Sequence, residues 1–146
     1  MVIVGLIAVP PMQLMSLAVV TVLQTASLFA EQPVYRVELL SEVGGLVETL
    51  AGLGIQTEPL VDAYFDTILV RALVGTAVLS HSLAASVRHL ADGARRVGSF
   101  RIGAFVLRKS GLLDGRRATT HWRHLPRLER AYPKVGLRAP RDLAAT

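Results

Sequence analysis

The residue that could do chemistry in the stretch GSFRIGAFVLRKSGLLDGRRATTHW, residues 98–122, is Arg101. A short apolar strand (96–100) is predicted directly before it, and a helix from Gly103 to Leu113 directly after it. Many α/β enzymes present a nucleophile at such a strand-to-helix turn, because the turn exposes one side chain above the sheet. A guanidinium stays protonated at ordinary pH, so Arg101 offers no lone pair as nucleophile or base. We call residues 101–103 the elbow.

Other reactive side chains do not combine into a recognisable site. The chain has no cysteine, which excludes disulfides, thiolate metal sites and thiol nucleophiles, and agrees with a cytoplasmic location. His81 and His89 are two helical turns apart, and His121 with His124 forms an HxxH pair that lacks a third ligand, so no metal is expected. Ser16 would be a nucleophile only beside a base that the sequence does not supply. We therefore predict no catalysis and no cofactor.

The elements that must position Arg101 alternate along the chain. Apolar segments predict the strands, polar-apolar periodicity predicts the helices, and Gly44 to Gly54 predicts a loop or hairpin. The predicted strands are 2–9, 35–41, 65–70 and 96–100, and the predicted helices are 12–29, 77–96, 103–113 and 124–132. This alternation predicts a three-layer α/β sandwich with a mainly parallel central sheet in a single domain.

The charge is distributed unevenly. Residues 1–87 carry two basic and seven acidic side chains, whereas residues 88–146 carry fourteen basic and four acidic ones. A basic half can attract a polyanion, but its arginines are scattered among apolar residues with few aromatics, which favours a solvated surface. No charge precedes Glu31, but Pro10-Pro11 interrupts the apolar stretch early, so a strand-loop-helix unit is favoured over a membrane span.

Two long segments give the chain a family resemblance. SFRIGAFVL, followed by GLLDGRRATTHWRHLPRLERAYPKV, resembles the ThiJ/PfpI superfamily, in the branch that forms the N-terminal domain of AraC-type transcriptional regulators and also contains isonitrile hydratase-like enzymes. YRVELLSEVGGLVETLAGL and VGLIAVPPMQLMSL agree with the same branch. The resemblance covers residues 2–135 and implies the flavodoxin-like fold of class I glutamine amidotransferases. Residues 136–146 form a divergent tail, so the family domain is expected to be incomplete at its C-terminus.

The resemblance also identifies positions at which this chain differs from the active site of the family. Where the family carries cysteine and threonine at the elbow, this chain has Arg101 and Ile102. The family's aspartate after the first strand is replaced by Ser16, and its glycine pair after the third strand is replaced by a segment that begins with Arg71. Three parts of one active site are therefore absent together.

Three hypotheses follow from these changes. The chain is a non-catalytic sensing and dimerisation domain of an AraC-type regulator, without the helix-turn-helix region and without direct DNA binding. Alternatively, it is an isonitrile hydratase-like or amidase-like enzyme with an unrecognised nucleophile. In the third hypothesis, which overlaps the first, Arg101 and Arg71, with His121 as a further candidate, bind a small anionic metabolite, a carboxylate or a phosphate. A homodimer is expected because an incomplete domain leaves apolar surface uncovered.

Overall fold

Strands alternate with helices along the chain as predicted, except over residues 35–72, where four strands follow one another without a helix between them. The computed structural model describes residues 1–61, 63–73, 79–131, 133 and 136–137. The strands are β1 (Val2–Ala8), β2 (Tyr35–Ser41), β3 (Val43–Glu48), β4 (Gly54–Pro59), β5 (Thr67–Ala72), β6 (Arg96–Arg101), β7 (Arg117–Ala118) and β8 (Gly136–Leu137). The helices are α1 (Ala18–Phe29), α2 (His81–Asp92), α3 (Gly103–Lys109) and α4 (Leu125–Ala131), with 3₁₀ turns at Leu14–Leu17 and Trp122–His124.

Six strands form the central sheet in the order β3-β4-β2-β1-β5-β6. Neighbouring strands run parallel except β3, which pairs antiparallel with β4. β7 and β8 form a separate small parallel pair. The predicted α/β sandwich with a mainly parallel sheet is therefore confirmed.

The two faces of the sheet are covered by different elements. Successive residues of a strand point to opposite faces, and Ile7 and Ala8 at the end of β1 belong to different apolar clusters. Ile7 packs with Val87 of α2 and Val106 of α3, and all three are fully or almost fully buried. Ala8 packs with Met12 and Val47 on the opposite side. Helices thus flank the sheet in three layers.

Several element boundaries differ from the prediction: α1 begins at Ala18 rather than at residue 12, α2 ends at Asp92 rather than at residue 96, and three further boundaries differ for local reasons. α2 begins at His81 because the Ser80 hydroxyl caps it by accepting a hydrogen bond from the Leu83 N–H at 2.9 Å. Residues 77 and 78 of the predicted helix lie outside the described residues. α3 ends at Lys109 instead of residue 113 because Gly111 adopts φ +73°. The third strand, predicted at 65–70, pairs over Thr67–Ala72.

No helix among the described residues is long and apolar enough to cross a membrane.

Candidate functional site at the elbow

The elbow places Arg101 at the apex of a tight strand-to-helix turn. β6 ends at Arg101, α3 begins at Gly103, and Ile102 between them is buried. Arg101 has φ +53°, in the left-handed region that costs a residue with a Cβ about 1–2 kcal/mol. The Arg101 side chain is exposed. The fold therefore holds the backbone of Arg101 in a strained conformation and leaves its side chain exposed at the end of the sheet.

Close packing at Gly103 sets the shape of the turn. A Cβ at this position would lie 2.3 Å from the carbonyl oxygen of Val70 and 3.0 Å from the Cβ of Ser99. Real Cβ atoms do not approach a backbone oxygen that closely, so only glycine lets α3 start against β5. Ala104, the next residue, is also buried. The geometry of the turn thus requires glycine at position 103.

The segment after α3 is hydrogen-bonded to the backbone of the elbow. The buried Thr120 hydroxyl donates a hydrogen bond of 2.8 Å to the carbonyl oxygen of Arg101. The next residue, His121, is exposed, and its Nδ1 accepts a hydrogen bond of 3.3 Å from the N–H of Arg123. The His121 ring also stacks on Trp122, with the ring centroids 5.6 Å apart. The structure thus places His121 as the cap of the following 3₁₀ turn.

Arg71, at the end of β5, is a buried cation. Its side chain is only 2% exposed, and its Nη2 donates a hydrogen bond of 3.3 Å to Oε1 of Gln13. Nη1 is buried and meets no hydrogen-bond acceptor among the described residues. Burial and, secondarily, the charge of Arg101 hold the pKa of Arg71 below its ordinary value. Two guanidinium groups therefore lie close enough to repel each other.

A cavity of about 250 Å³ connects the two arginines. The sheet contributes Arg71, Phe100 and Arg101 to its lining. The segment after β1 contributes the opposite wall, which consists of Met15, Ser16, Ala18 and Val19. No carboxylate of the described residues lines this cavity. It is therefore an apolar pocket with two cationic groups at the carboxyl ends of β5 and β6.

The candidate residues from the sequence fall into two groups. Ser16, Arg71 and Arg101 share the cavity, and the Ser16 hydroxyl donates to the carbonyl oxygen of Gln13. His121 is not among the residues that line this cavity. Arg101 is exposed to solvent, and no carboxylate of the described residues lines the cavity beside it.

The structure adds residues that the sequence did not single out. Gln13 holds the Arg71 guanidinium, while Met15, Val19 and Phe100 form apolar walls. Their only sequence signal is position, since they follow β1 or precede the elbow at the carboxyl ends of parallel strands, where ligands bind in open α/β sheets.

The HxxH pair does not form a metal centre in the described part of the chain. The rings of His121 and His124 lie 5.8 Å apart between centroids. Burial, and then the neighbouring charges of His121, Arg127 and Arg123, hold the pKa of His124 below its ordinary value. Within the described ranges, no three His, Cys, Asp or Glu side chains group closely enough to hold a metal ion.

Comparison with known sequences identifies relatives of this chain. No protein-family model matches it. It is 41% identical over 104 residues to an uncharacterized protein in the cpoL 5' region of Streptomyces lividans, an alignment that covers 68% of this chain and 73% of the relative. It is 33% identical over 146 residues to the HTH-type transcriptional regulator GlxA of Rhizobium meliloti (strain 1021). This alignment covers 94% of this chain and 44% of the regulator. The chain thus spans less than half the length of that regulator.

Solved structures share the fold at low sequence identity. An AraC family transcriptional regulator from Pseudomonas putida superimposes with a TM-score of 0.80 and 19% identity, over 94% of this chain and 76% of that one. DJ-1beta of Drosophila melanogaster superimposes with a TM-score of 0.72 and 18% identity, over 94% of this chain and 73% of that one. These likenesses agree with the ThiJ/PfpI resemblance of the sequence. The chain is similar in sequence to GlxA, an HTH-type transcriptional regulator, and it shares its fold with an AraC family transcriptional regulator and with DJ-1beta.

Proposed function

We propose that this chain is a non-catalytic, ligand-sensing and dimerisation domain of an AraC-type transcriptional regulator. The observation that carries the proposal is Arg101 at the apex of the elbow, with φ +53°. The resemblance implies that enzymes of this family carry a cysteine at that position. A permanently protonated guanidinium supports binding of an anion but can supply neither a nucleophile nor a base.

The surroundings of Arg101 support the same proposal. No cysteine exists anywhere in the chain, so thiolate chemistry is excluded at every position. Ser16 lines the cavity, but its hydroxyl is engaged with the carbonyl oxygen of Gln13, and no histidine of the described residues lines the cavity with it. A hydroxyl nucleophile needs an adjacent base, and none of the described lining residues provides one.

The similarity to GlxA supports the regulatory role, since GlxA is an HTH-type transcriptional regulator. In such a regulator a helix-turn-helix reads the DNA. We therefore assign ligand binding and dimerisation to this chain, with no direct DNA contact, and place the regulator in the cytoplasm. The basic residues of its second half then form a solvated surface.

We expect the purified chain to show no turnover of isonitriles, of methylglyoxal or of peptide substrates above the blank without protein. The Arg101→Cys variant is expected to remain near the blank as well, because Ser16 and Arg71 still replace other parts of the family's site. Steady-state assays at enzyme concentrations of the order of 10 µM would detect even slow chemistry, since typical enzymes turn over about 1–10³ times per second. Saturable turnover by the unmodified chain would overturn the proposal and favour the enzyme hypothesis.

We further propose that the chain forms a homodimer through α1. This helix carries no charged residue, and no side chain of it is fully buried against the described residues. Ala18, Val22, Ala26 and Phe29 are all exposed and follow the spacing of one helix face. Val22 is 64% exposed and Phe29 86% exposed. A second copy would cover this stripe without burying a charge on either side, which favours it over a charged partner.

Sedimentation velocity tests the dimer. The unmodified chain is expected to sediment as a dimer, and Val22→Asp as a monomer, because the substitution places a carboxylate in the centre of the apolar stripe that the dimer would bury. Val61→Asp is the matched control, since Val61 is 57% exposed and lies in the loop after β4, outside α1. A monomeric unmodified chain at high concentration, or a dimer that Val22→Asp leaves intact, would contradict this interface.

A further inference from the structure

The cavity at the elbow has an excess of positive charge at one end. Arg71 is 2% exposed, and its Nη1 has no acceptor among the described residues. Arg101 lies near enough for its charge to lower the pKa of Arg71 further. No described carboxylate lines the space between the two groups. A buried guanidinium without a partner is unfavourable, and an anion in this cavity would neutralise it.

The pairing of β5 with β6 places Arg71 and Arg101 at the same end of the sheet. Arg71 pairs in register with Phe100, and Ala72 pairs with Arg101. The two arginines therefore come from adjacent positions across β5 and β6, one buried in the floor of the cavity and one exposed at its rim. One oxygen of a carboxylate can pair with the Arg71 guanidinium, which contributes to the lining of the cavity, while the second oxygen accepts from Arg101. Such charge-assisted hydrogen bonds are stronger than neutral ones.

The remaining walls are apolar. Met15, Ala18, Val19 and Phe100 offer no charged group, and Ser16 already donates its hydroxyl to a backbone carbonyl. Burial of aliphatic carbon against these side chains is favourable because it removes apolar surface from water. A tetrahedral phosphate would leave this surface uncovered and would lack the additional donors that its oxygens require. The cavity therefore suits a carboxylate that carries a short apolar chain.

The size of the cavity limits the ligand. At about 250 Å³ it is smaller than the roughly 300–1,000 Å³ of typical pockets for drug-sized molecules. A nucleotide does not fit, whereas an acid of about four to six carbons does. We propose that this cavity binds a small aliphatic monocarboxylate between Arg71 and Arg101, as the sensed ligand. This inference rests on the proposed function, since it treats the elbow as a binding site.

Thermal unfolding with defined probes tests the inference. Sodium butyrate and sodium hexanoate are compared with butyramide, with inorganic phosphate and with sodium chloride at matched ionic strength. A carboxylate present at about ten times its Kd is expected to raise the Tm by roughly 3–6 °C, and hexanoate is expected to act at lower concentration than butyrate. Butyramide, which lacks the charge, and chloride are expected to leave the Tm unchanged. Stabilisation by phosphate alone, or by butyramide as much as by butyrate, would overturn the assignment of the ligand.

A pair of variants locates the effect. Arg101→Gln retains a long polar side chain but loses the charge, and is expected to weaken the Kd for hexanoate at least tenfold. Arg96→Gln is the matched control, because Arg96 is exposed and lies at the opposite end of the same strand, β6. Its Kd is expected to equal that of the unmodified chain. Equal weakening by both variants would indicate a general charge effect and would overturn the site.

The outcomes separate this inference from the proposed function. Turnover by the unmodified chain refutes the non-catalytic role, whether or not carboxylates stabilise the fold. Absence of any carboxylate-dependent shift in Tm refutes the ligand class and leaves the non-catalytic role untouched.

Discussion

Gly103→Ala is expected to lower the free energy of unfolding by about 3 kcal/mol or more, which is a large share of the roughly 5–15 kcal/mol that stabilises an ordinary domain. The added Cβ would lie 2.3 Å from the Val70 carbonyl oxygen and 3.0 Å from the Ser99 Cβ. Neither neighbour can rotate away, since the oxygen belongs to the backbone of a central strand. Relief requires α3 to move away from β5 and thereby disrupts the elbow. Urea unfolding followed by circular dichroism measures the change.

Gly93→Ala is the matched control for this prediction. Gly93 also lies at the end of a helix, has φ −92°, and a Cβ there would meet nothing closer than the Leu90 carbonyl oxygen at 3.9 Å. We expect a change within about 0.5 kcal/mol for this variant. If Gly103→Ala unfolds at the same urea concentration as Gly93→Ala, then the helix does not begin as tightly against β5 as described.

Arg71→Met is expected to stabilise the ligand-free chain by about 1–3 kcal/mol and to abolish its response to carboxylates. Replacement of a poorly compensated buried charge by an apolar side chain of similar length removes the cost of desolvation. The loss includes one hydrogen bond of 3.3 Å to Gln13, whose amide is only half-buried and can turn to water. A higher stability of this variant, together with the loss of its response to carboxylates, would indicate that the cation is retained for ligand binding.

Arg96→Met is the matched control for the second prediction. Because Arg96 is exposed, its substitution is expected to change the free energy of unfolding by no more than about 0.5 kcal/mol and to leave the carboxylate response intact. Destabilisation by Arg71→Met of more than about 1 kcal/mol would contradict the account, since it would show that the buried guanidinium stabilises the ligand-free fold.

The strands could be predicted because apolar runs mark the interior of a parallel sheet. β2 matches its predicted bounds, and Leu83, Val87 and Leu90 are buried as the periodicity of α2 indicated. The third strand is displaced because an apolar run does not reveal which residues pair. Phe65 lies in that run but packs beneath Gly5, where its ring would be 3.0 Å from an added Cβ.

Some elements depend on contacts that sequence patterns do not show. The predicted loop or hairpin region contains only the first residue of β4, Gly54. The rest of this strand gives no apolar pattern because its residues are largely polar. The structure explains this strand through Thr57, which is buried and shares a hydrogen bond of 2.7 Å with the hydroxyl of Ser41 on β2. The hydrogen-bonding partner of Thr57 lies far away in the sequence, so no local periodicity reveals that this threonine is buried.

The candidate site was only partly predictable for a similar reason. The identity of Arg101, and its position at a strand-to-helix turn, could be read from the sequence and from the family resemblance. The burial of Arg71 could not be predicted, because arginine is rarely buried and the residues that line the cavity opposite it come from the segment after β1. His121, which the sequence grouped with the arginines, instead caps a 3₁₀ turn.

The most direct test of the central claim is a ¹⁵N NMR titration of arginine-labelled chain with hexanoate. The account predicts that the guanidinium signals of Arg71 and Arg101 shift together and saturate at a single Kd, while the signals of the exposed Arg96 remain in place. Arg101→Gln and Arg71→Met would assign the two signals. Shifts that are confined to exposed arginines, or unchanged signals for both Arg71 and Arg101 at saturating hexanoate, would contradict the claim that the elbow is retained as an anion-binding site.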